Sequence, residues 1–316
     1  MILKTKLPIQ KEVYNPINYN SKILLLGSCF SENIGNKLSY YKFQTNQNPF
    51  GIIFHPKAIE TFITNAINEK EYLSEDVFLL NERWHCFEAH SNVCSSTKEE
   101  LILKLNTKIK FTKNQLENAS HIIITLGTSW VYRFIETDAI VANCHKVPQK
   151  KFLKEILSVD EIIESIEGTI AMLKSINPKI TVVLTISPIR HLKDGFVQNQ
   201  QSKSHLATAI HQIIDPRNKI HYFPSYEIMM DELRDYRFYA EDMIHPTQTA
   251  IHYIWEKFIE TWLSEDTKLT MQEVESIQKG TLHKPFNEQS EQHQEFLKKL
   301  ADKKHTLQNQ FSWMHF

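Results

Sequence analysis

The sequence predicts an α/β protein in which a mostly parallel sheet is covered by helices on both faces. Short apolar segments alternate with longer segments of helical periodicity, as in proteins built from strand–helix–strand units. The segments at residues 22–27, 121–126 and 180–186 are almost entirely apolar, which is typical of strands buried on both sides. Each ends at a short polar turn, and in a parallel sheet such turns meet at one edge, where ligands bind.

Turn and capping residues predict the elements that lie between the strands at 22–27 and 121–126. Pro56 suits the first turn of a helix, because the missing N–H has no helical acceptor there. Asn81 and Glu82 suit the tight turn of a hairpin. The predicted order is a helix from Ser31, a strand near 41–45, a turn at 48–51, a helix over 56–67, a hairpin over 76–94 and a polar helix to about Asn118.

The second half of the chain repeats this alternation. Ser158 and Glu161 form a capping box that begins a helix, and Asn177-Pro178 ends it. Pro246 is expected to begin a helix whose apolar residues recur at helical spacing. After the strand at 121–126, the predicted order is a hairpin over 130–148, the helix from Ser158, the strand at 180–186, a helix around 206–214, a strand at 219–223 and the helix from Pro246.

These elements predict one α/β domain over residues 1–263, with insertions at about 69–118 and 130–150. Residues 264–316 are polar with scattered aromatic side chains, and we expect a helical or partly disordered extension there.

The composition argues against several classes of partner. The net charge is -1 and the pI is about 7.0, so no basic surface for nucleic acid is expected. No segment approaches the ~18 apolar residues of a membrane span, and the first eight residues lack the apolar core of a signal peptide. The histidines and the four cysteines show no metal-type spacing, so no metal or other cofactor is expected. We interpret the cysteines as reduced thiols of a cytoplasmic protein; the oligomeric state stays open.

Two segments far apart in the chain together indicate a hydrolytic triad. Gly27-Ser28-Cys29-Phe30 places a hydroxyl and a thiol where a buried strand ends and a helix begins. Asp242 and His245, spaced three residues apart, precede a strong helix near the end of the α/β domain. A carboxylate at this spacing can orient an imidazole, and an imidazole can activate a nucleophile. No Gly-x-Ser-x-Gly segment is present, which argues against an ordinary α/β-hydrolase.

The two segments resemble the motifs of the SGNH (GDS-like) hydrolase superfamily, and the first resembles the signature of its GSCFA family. Gly27, Ser28, Cys29 and Phe30 match that signature, and its final Ala is Ser31 here. The resemblance spans roughly residues 20–260. It implies a flavodoxin-like three-layer α/β/α sandwich, a catalytic domain over 1–263, and ester or acyl chemistry. A gapless match makes Cys29 the nucleophile, and a slip of one residue would make it Ser28.

The resemblance also implies an oxyanion hole. Gly51, in the turn Asn48-Pro49-Phe50-Gly51, would supply a backbone N–H. The superfamily's next donor is an Asn side chain, but the matching segment here is Gly127-Thr128-Ser129, so Ser129 would have to replace it. Losing one such donor costs a factor of ~10²–10³ in rate.

Two further residues are candidate substrate contacts. Arg190 follows the strand at 180–186 and could hold an anionic group. His90 lies in the hairpin over 76–94, which could cover the site.

The function expected from these residues is hydrolysis of ester or related acyl bonds of a small molecule, such as an acylated carbohydrate, through a covalent acyl-enzyme. An acyltransferase would use the same triad. A non-catalytic ligand-binding module would retain the pocket, and the missing Asn favours that reading. A nucleotide-binding protein is disfavoured because no glycine-rich phosphate loop is present.

Overall fold

The structure, a computed structural model, describes residues 5–316, over which ten strands and nine α-helical segments are assigned. The strands are β1 (Lys22–Gly27), β2 (Gln44–Gln47), β3 (Phe78–Leu80), β4 (Arg83–His85), β5 (His121–Leu126), β6 (Trp130–Phe134), β7 (Ala139–Val141), β8 (Phe152–Ile156), β9 (Thr181–Ile186) and β10 (Ile220–Phe223). The helices are α1 (Cys29–Tyr40), α2 (Pro56–Ile67), α3 (Lys98–Asn118), α4 (Val159–Ile176), α5 (Phe196–Ile213), the single turn α6 (Ser225–Glu227), α7 (Gln248–Trp262), α8 (Thr267–Thr281) and α9 (Glu291–Gln310).

The central sheet is parallel and has the strand order β10-β9-β5-β1-β2. Counting only its own strands, this is the order 2-1-3-4-5 of the flavodoxin-like class, which confirms the predicted fold. The strand order reverses between β1 and β5. The carboxyl ends of these two strands therefore border the crevice in which ligands bind in such sheets.

Helices cover the sheet on both faces, because the side chains of each strand alternate between two hydrophobic cores. Leu24 and Ile122 point into the core shared with α2, α3, α4 and α5. Their neighbours Ile23 and Ile123 point into the core shared with α1, α7 and α8. Trp255 of α7 is 1% exposed in this second core.

Two antiparallel insertions lie outside the central sheet. The β3–β4 hairpin turns at Asn81 and Glu82 as predicted, and both have positive φ (47° and 60°), as a type I′ turn requires. The second insertion has three strands, in the order β7-β6-β8, rather than the predicted two. The sequence did not indicate β8 because its middle residues are exposed and it ends directly before the capping box of α4.

Several boundaries differ from the predictions for local reasons. Helix α1 begins at Cys29, two residues earlier than expected, because Ser28 caps it. Helix α7 begins at Gln248, because the Thr247 hydroxyl accepts from the Ala250 N–H and Pro246 forms an isolated bridge with Tyr239. Strand β2 is Gln44–Gln47, displaced from 41–45; its polar sequence concealed it.

The C-terminal extension contributes to the second core. Helix α8 buries Met271, Val274 and Ile277 against it, and α9 adds Leu300 and Leu307. Residues 1–4, part of the N-terminal segment predicted to lack a signal peptide, lie outside the described residues. Among residues 5–316, every helix is too short or too polar to traverse a lipid bilayer.

Candidate active site

The site begins at Gly27, where β1 turns into α1 beside β5. Gly27 has φ +128°, and a Cβ there would lie 2.1 Å from the carbonyl oxygen of Thr125. The next N–H, of Ser28, donates to that same oxygen at 3.1 Å. Only glycine allows this close approach, which places the start of α1 at the switch point of the sheet.

Ser28 serves as the N-cap of α1. Its side-chain oxygen accepts from the Phe30 N–H at 3.2 Å, and the residue is 1% exposed. This is the usual role of serine at a helix start. The hydroxyl is therefore committed to the helix and shielded from solvent.

Cys29 is the first residue of α1 and is partly exposed. Burial raises the pKa of its thiol and the charge of Glu32 raises it further, whereas the backbone N–H groups at the helix start and the charge of Lys203 lower it. The start of a helix by itself favours a thiolate. In the structure, desolvation by the apolar neighbours of the thiol outweighs that effect.

Asp242 and His245 form the pair that their spacing predicts. Asp242 Oδ2 lies 2.7 Å from His245 Nδ1, while Oδ1 accepts from the N–H groups of Ile244 and His245 at 2.9 and 3.0 Å. These bonds, led by that from the His245 N–H, hold the pKa of Asp242 at about 2. The carboxylate is thus ionised at neutral pH and orients a half-exposed imidazole.

The loop that carries His245 is joined to the carboxyl end of β9. The Arg190 N–H donates to the Ile244 carbonyl oxygen at 3.2 Å. Beside it, burial and the charges of Lys203 and His245 lower the pKa of His191 to about 3. The charge of Lys203 also lowers the pKa of the Cys29 thiol. The side chains of His245, His191, Lys203 and Cys29 therefore lie along one edge of the sheet.

Cys29 and His245, the predicted nucleophile and base, lie at the same edge of the sheet without a direct hydrogen bond. Among residues 5–316, no hydrogen bond links His245 to Ser28 or Cys29. In many enzymes the hydrogen bond between base and nucleophile tightens only when substrate binds.

Both predicted oxyanion donors make hydrogen bonds within the fold. The Gly51 N–H donates to the Asn48 carbonyl oxygen at 2.8 Å, because it closes the turn. Ser129 is fully buried, and its hydroxyl donates to the Ser202 carbonyl oxygen of α5 at 3.3 Å.

Asn48 is a site residue that the sequence analysis treated only as part of a turn. Its Oδ1 accepts from the Gly27 N–H at 2.9 Å, and its Nδ2 makes a long 3.4 Å contact with Glu32. A side-chain amide therefore lies beside the start of α1. The signal available in the sequence was an Asn directly after a strand that neighbours the nucleophile's strand.

A cleft of about 410 Å³ opens beside His191, between the carboxyl edge of the sheet and the three-stranded insertion. Its floor includes Thr128, from the turn after β5, and Phe54. The insertion supplies aromatic side chains, namely those of Trp130, Tyr132 and Phe152. Lys154 stacks over the Trp130 ring at 4.5 Å and pairs with Asp194 at 2.6 Å, tying the insertion to the loop after β9.

The two predicted substrate contacts do not line this cleft. Arg190 lies on the other side of the His245 loop, where its guanidinium stacks over Tyr239 at 4.0 Å in a separate depression of about 470 Å³. His90 packs against Gly51, and its N–H donates to the Phe50 carbonyl oxygen. Arg190 and His90 therefore belong to different surfaces.

All four cysteines are free thiols. Within the described part of the chain, no group of three or more His, Cys, Asp or Glu side chains is arranged to hold a metal ion.

The segments that carry this geometry coincide with a known family. A model described as the GSCFA family matches residues 22–258, which include both Cys29 and the Asp242–His245 pair. The chain belongs to the GSCFA family. A second model, described as the C-terminal domain of GSCFA domain proteins, matches residues 274–316. No curated protein matches the sequence significantly.

This GSCFA protein carries Ser31 where the family signature ends in Ala. The structure shows why serine fits: its buried hydroxyl contacts the Leu26 carbonyl oxygen at 3.0 Å and the Thr125 hydroxyl at 2.8 Å. Both contacts reinforce the junction of β1, β5 and α1.

Two solved structures show a weak similarity to this GSCFA protein at low identity. A carbohydrate esterase of family 3 from Talaromyces cellulolyticus is 9% identical with a TM-score of 0.36, and the match covers 81% of this chain and 99% of that one. An acetyl xylan esterase from the rumen bacterium Butyrivibrio proteoclasticus is 13% identical with a TM-score of 0.34, covering 77% of this chain and 63% of the other.

Proposed function

We propose that this protein hydrolyses ester or related acyl bonds through a covalent acyl-enzyme on Cys29. The observation that carries the proposal is the 2.7 Å contact between Asp242 and His245 at the edge of the sheet where Cys29 begins α1. An ionised carboxylate, an oriented imidazole and a partly exposed nucleophile are the groups that acyl transfer requires.

The structure favours Cys29 over Ser28 as the nucleophile. The Ser28 hydroxyl is 1% exposed and already caps the helix, so attack from it would give up the cap. Cys29 is partly exposed, and its sulfur is free of such a role.

In this mechanism the proton of the Cys29 thiol passes to Nε2 of His245 while the sulfur attacks the carbonyl carbon. His245 then donates that proton to the departing alcohol as the carbon–oxygen bond breaks, leaving a thioester on Cys29. Water, deprotonated by His245, attacks the thioester, and the thiol is regenerated as the acid leaves. Asp242 keeps Nδ1 protonated throughout, so that Nε2 is free to accept.

We assign the oxyanion to groups other than those the motifs implied. The first N–H groups of a helix lack intrahelical acceptors, and the Cys29 N–H stands at that position in α1. The Asn48 amide nitrogen lies nearby, because its Oδ1 is bound to the Gly27 N–H. Asn48 would thereby replace the side-chain amide that Ser129 cannot supply.

Cys29, Asp242 and His245 do not line the aromatic cleft beside His191; we propose that this cleft receives the sugar part of an acylated carbohydrate. Trp130, Tyr132 and Phe152 offer apolar faces, while Asn143 and Gln149 offer amide groups for hydroxyls. The free thiols favour a reducing compartment, and we include a cytoplasmic location in the proposal.

Turnover of p-nitrophenyl acetate and of an acetylated oligosaccharide tests the proposal, together with intact mass after rapid quenching. We expect an acetyl adduct on Cys29, loss of turnover in Cys29→Ala and His245→Ala, and a measurable fraction retained in Ser28→Ala. An adduct on Ser28, with activity lost only in Ser28→Ala, would show a serine esterase instead.

Adding an alcohol or sugar acceptor separates hydrolysis from acyl transfer. A hydrolase releases acetate whatever the acceptor, whereas an acyltransferase forms the acetylated acceptor. Binding of the oligosaccharide with neither adduct nor turnover would favour a non-catalytic binding module.

A further inference from the structure

The aromatic cleft carries positive charge that the fold does not neutralise. Lys146 and Lys193 line the cleft directly, and Lys154 lies over the ring of Trp130 on its wall. The carboxylate among the lining residues is that of Asp194, which is already paired with Lys154 at 2.6 Å. In the described part of the chain, no carboxylate lies at ion-pair distance from Lys146 or Lys193.

The sequence of the insertion adds to this charge. Residues 139–154 contain four lysines and no aspartate or glutamate, although the net charge of the whole chain is -1. The acids that flank this segment, Asp138 and Glu155, both pair with Arg133, at 3.7 and 3.0 Å. A cleft lined by one sign of charge concentrates the electric field inside it, so this cleft favours an anion.

Lys146 has a backbone conformation that lysine rarely adopts. His145 and Lys146 have positive φ, of 49° and 64°. The Val147 N–H donates to the Cys144 carbonyl oxygen at 2.9 Å and closes a turn of the type I′ kind. Glycine and asparagine are the usual residues there, because other residues are strained at positive φ. His145 is held by a bond from its Nε2 to the Cys86 carbonyl oxygen at 2.7 Å.

No contact within the fold explains the lysine in this strained position. Among residues 5–316, the Lys146 side chain makes no hydrogen bond, ion pair or ring contact. Strained residues that persist without a structural reason are typical of ligand sites.

Lys193 is held in place on the other wall of the cleft. It belongs to the 3₁₀ turn Leu192–Asp194 after β9, in which the Gly195 N–H donates to the Leu192 carbonyl oxygen at 3.0 Å. Lys146 comes from the three-stranded insertion. The two ammonium groups are therefore carried by two fixed turns, one from each wall.

We propose that the aromatic cleft binds an acidic sugar, one that carries a carboxylate or a phosphate, and that Lys146 and Lys193 are the counterions of that group. The inference rests on the proposed function, since it names the class of sugar that this cleft receives. Ammonium groups form charge-assisted hydrogen bonds with carboxylate and phosphate oxygens. The rings of Trp130 and Phe152 and the amide of Asn143 complete the site for the sugar ring and its hydroxyls.

The His191 end of the cleft adjoins the loop of the proposed base. His191 follows Arg190, whose N–H donates to the Ile244 carbonyl oxygen at 3.2 Å, and Ile244 directly precedes His245. A sugar bound in the cleft therefore lies beside the loop that carries His245.

Binding of unacylated disaccharides tests the proposal, because it requires no ester turnover. The probes are cellobiose, cellobiose with its terminal sugar oxidised to the uronic acid, and cellobiose phosphate; dissociation constants are measured by ligand-observed NMR. We expect both charged disaccharides to bind about tenfold more tightly than cellobiose at low salt, since each exposed ion pair contributes a factor of up to about five. Added salt should reduce this preference. The tighter of the two charged forms identifies the anionic group that the cleft prefers.

Matched lysine variants locate the effect. Lys146→Gln and Lys193→Gln should each weaken binding of the charged disaccharides up to about fivefold and leave that of cellobiose unchanged. Lys150→Gln is the control, because it removes the same charge from the same segment but Lys150 does not line the cleft. Lys146→Gly should weaken binding equally while unfolding at the same or a higher urea concentration, since glycine adopts positive φ without strain.

Three results would overturn the proposal. The first is binding of the charged disaccharides no tighter than that of cellobiose. The second is an equal loss in Lys146→Gln, Lys193→Gln and Lys150→Gln, which would show an effect of net charge alone. The third is a clear loss of stability in Lys146→Gly, which would show that the lysine serves the fold.

The outcomes also separate this inference from the proposed function. Selective binding of the charged disaccharides by a protein that turns over no ester would retain the acidic-sugar site and reject the esterase. Ester turnover through Cys29, in a protein that binds charged and neutral disaccharides equally, would do the reverse.

Discussion

The side-chain oxygen of Asn48 accepts a hydrogen bond from the Gly27 N–H at 2.9 Å, fastening the turn after β2 to the end of β1. The bond turns the amide group of Asn48 toward the first turn of α1, where its nitrogen contacts Glu32. Asn48 follows β2, and this bond places its amide beside the start of α1, which follows the neighbouring strand β1.

Asn48→Asp is expected to retain the fold and lose activity. The aspartate can still accept from the Gly27 N–H, but it has no N–H to offer an oxyanion. We expect kcat to fall by a factor of ~10²–10³, with little change in the midpoint of thermal unfolding. Asn46→Asp is the matched control, because Asn46 lies two residues earlier and its amide bonds Gln115 away from the site. Equal kcat for the Asn48 and Asn46 variants would remove Asn48 from the oxyanion hole.

Asp242→Asn tests the orienting carboxylate. The amide can present an N–H to Nδ1 of His245 and so favour the wrong tautomer, and kcat should fall by a factor on the order of 10³–10⁴. Because the pKa of Asp242 is about 2, its ionisation contributes no acid limb to the pH–rate profile at mildly acidic pH. Asp235→Asn is the control: among the described residues, the hydrogen bonds of this partly exposed side chain in the same segment go to Arg237. A full rate in Asp242→Asn would contradict the triad.

Gly27→Ala is expected to destabilise the protein strongly. Its Cβ would overlap the Thr125 carbonyl oxygen, and φ +128° is unfavourable for any L residue, so we expect a loss of about 3 kcal/mol or more in the free energy of unfolding. Gly168→Ala is the matched control in α4, where the nearest atom to an added Cβ is 4.0 Å away. For the Gly168→Ala variant, urea titration should show a free energy of unfolding that is higher by about 0.5–1 kcal/mol. If both variants unfolded at similar urea concentrations, the close approach of Gly27 to the Thr125 carbonyl oxygen would not be required for stability.

His55 is expected to make the fold sensitive to mild acid. Its Nδ1 accepts from the Ala58 N–H and its Nε2 donates to the Val141 carbonyl oxygen, so the buried ring is neutral, and burial lowers its pKa to about 4. Between about pH 6.5 and 4 the unfolded chain binds a proton here that the folded chain does not. Stability from this residue is thus complete above that window and declines as pH falls through it, by at most about 1.4 kcal/mol per pH unit.

His55→Asn provides the measurement, because asparagine preserves the N-cap of α2 but does not titrate. Urea unfolding is measured at a series of pH values. As the pH falls, the free energy of unfolding should decline less steeply in the variant, and the difference in slope should correspond to at most one bound proton. Identical slopes in the two proteins would assign the acid sensitivity to other groups.

The sequence predicted the architecture well because its signals are local. The nearly apolar strands at 121–126 and 180–186, the capping box at Ser158 and the hairpin turn at Asn81-Glu82 each depend on residues close in the chain. β8 and the polar β2 were missed or misplaced, because an exposed or polar strand lacks the periodicity that identifies a buried one.

The candidate site also has one part that local sequence signals could predict and another part that they could not. The Asp242–His245 pair could be predicted from spacing, because three residues of turn suffice to bring carboxylate and imidazole together. The sequence left the candidate nucleophile open between Ser28 and Cys29. The burial of Ser28 and its bond to Phe30 are the structural observations on which the proposal of Cys29 rests.

From the sequence alone come the alternation of buried strands and helices that builds the central sheet, the GSCFA signature and the residue types of a triad. Periodicity, capping and short spacings are properties of neighbouring residues. Only the tertiary structure decided which polar groups are available for chemistry. Gly51 and Ser129 carry suitable donors, yet their hydrogen bonds to Asn48 and Ser202 use them. Lys203 lies far from Cys29 in the chain, and folding of α5 across the sheet edge makes it an electrostatic neighbour of the thiol. Whether a hydrogen-bond donor is free, and how strongly a charge acts on its neighbours, depends on the groups packed against it. Those groups come from distant parts of the chain, so no pattern of neighbouring residues reveals them.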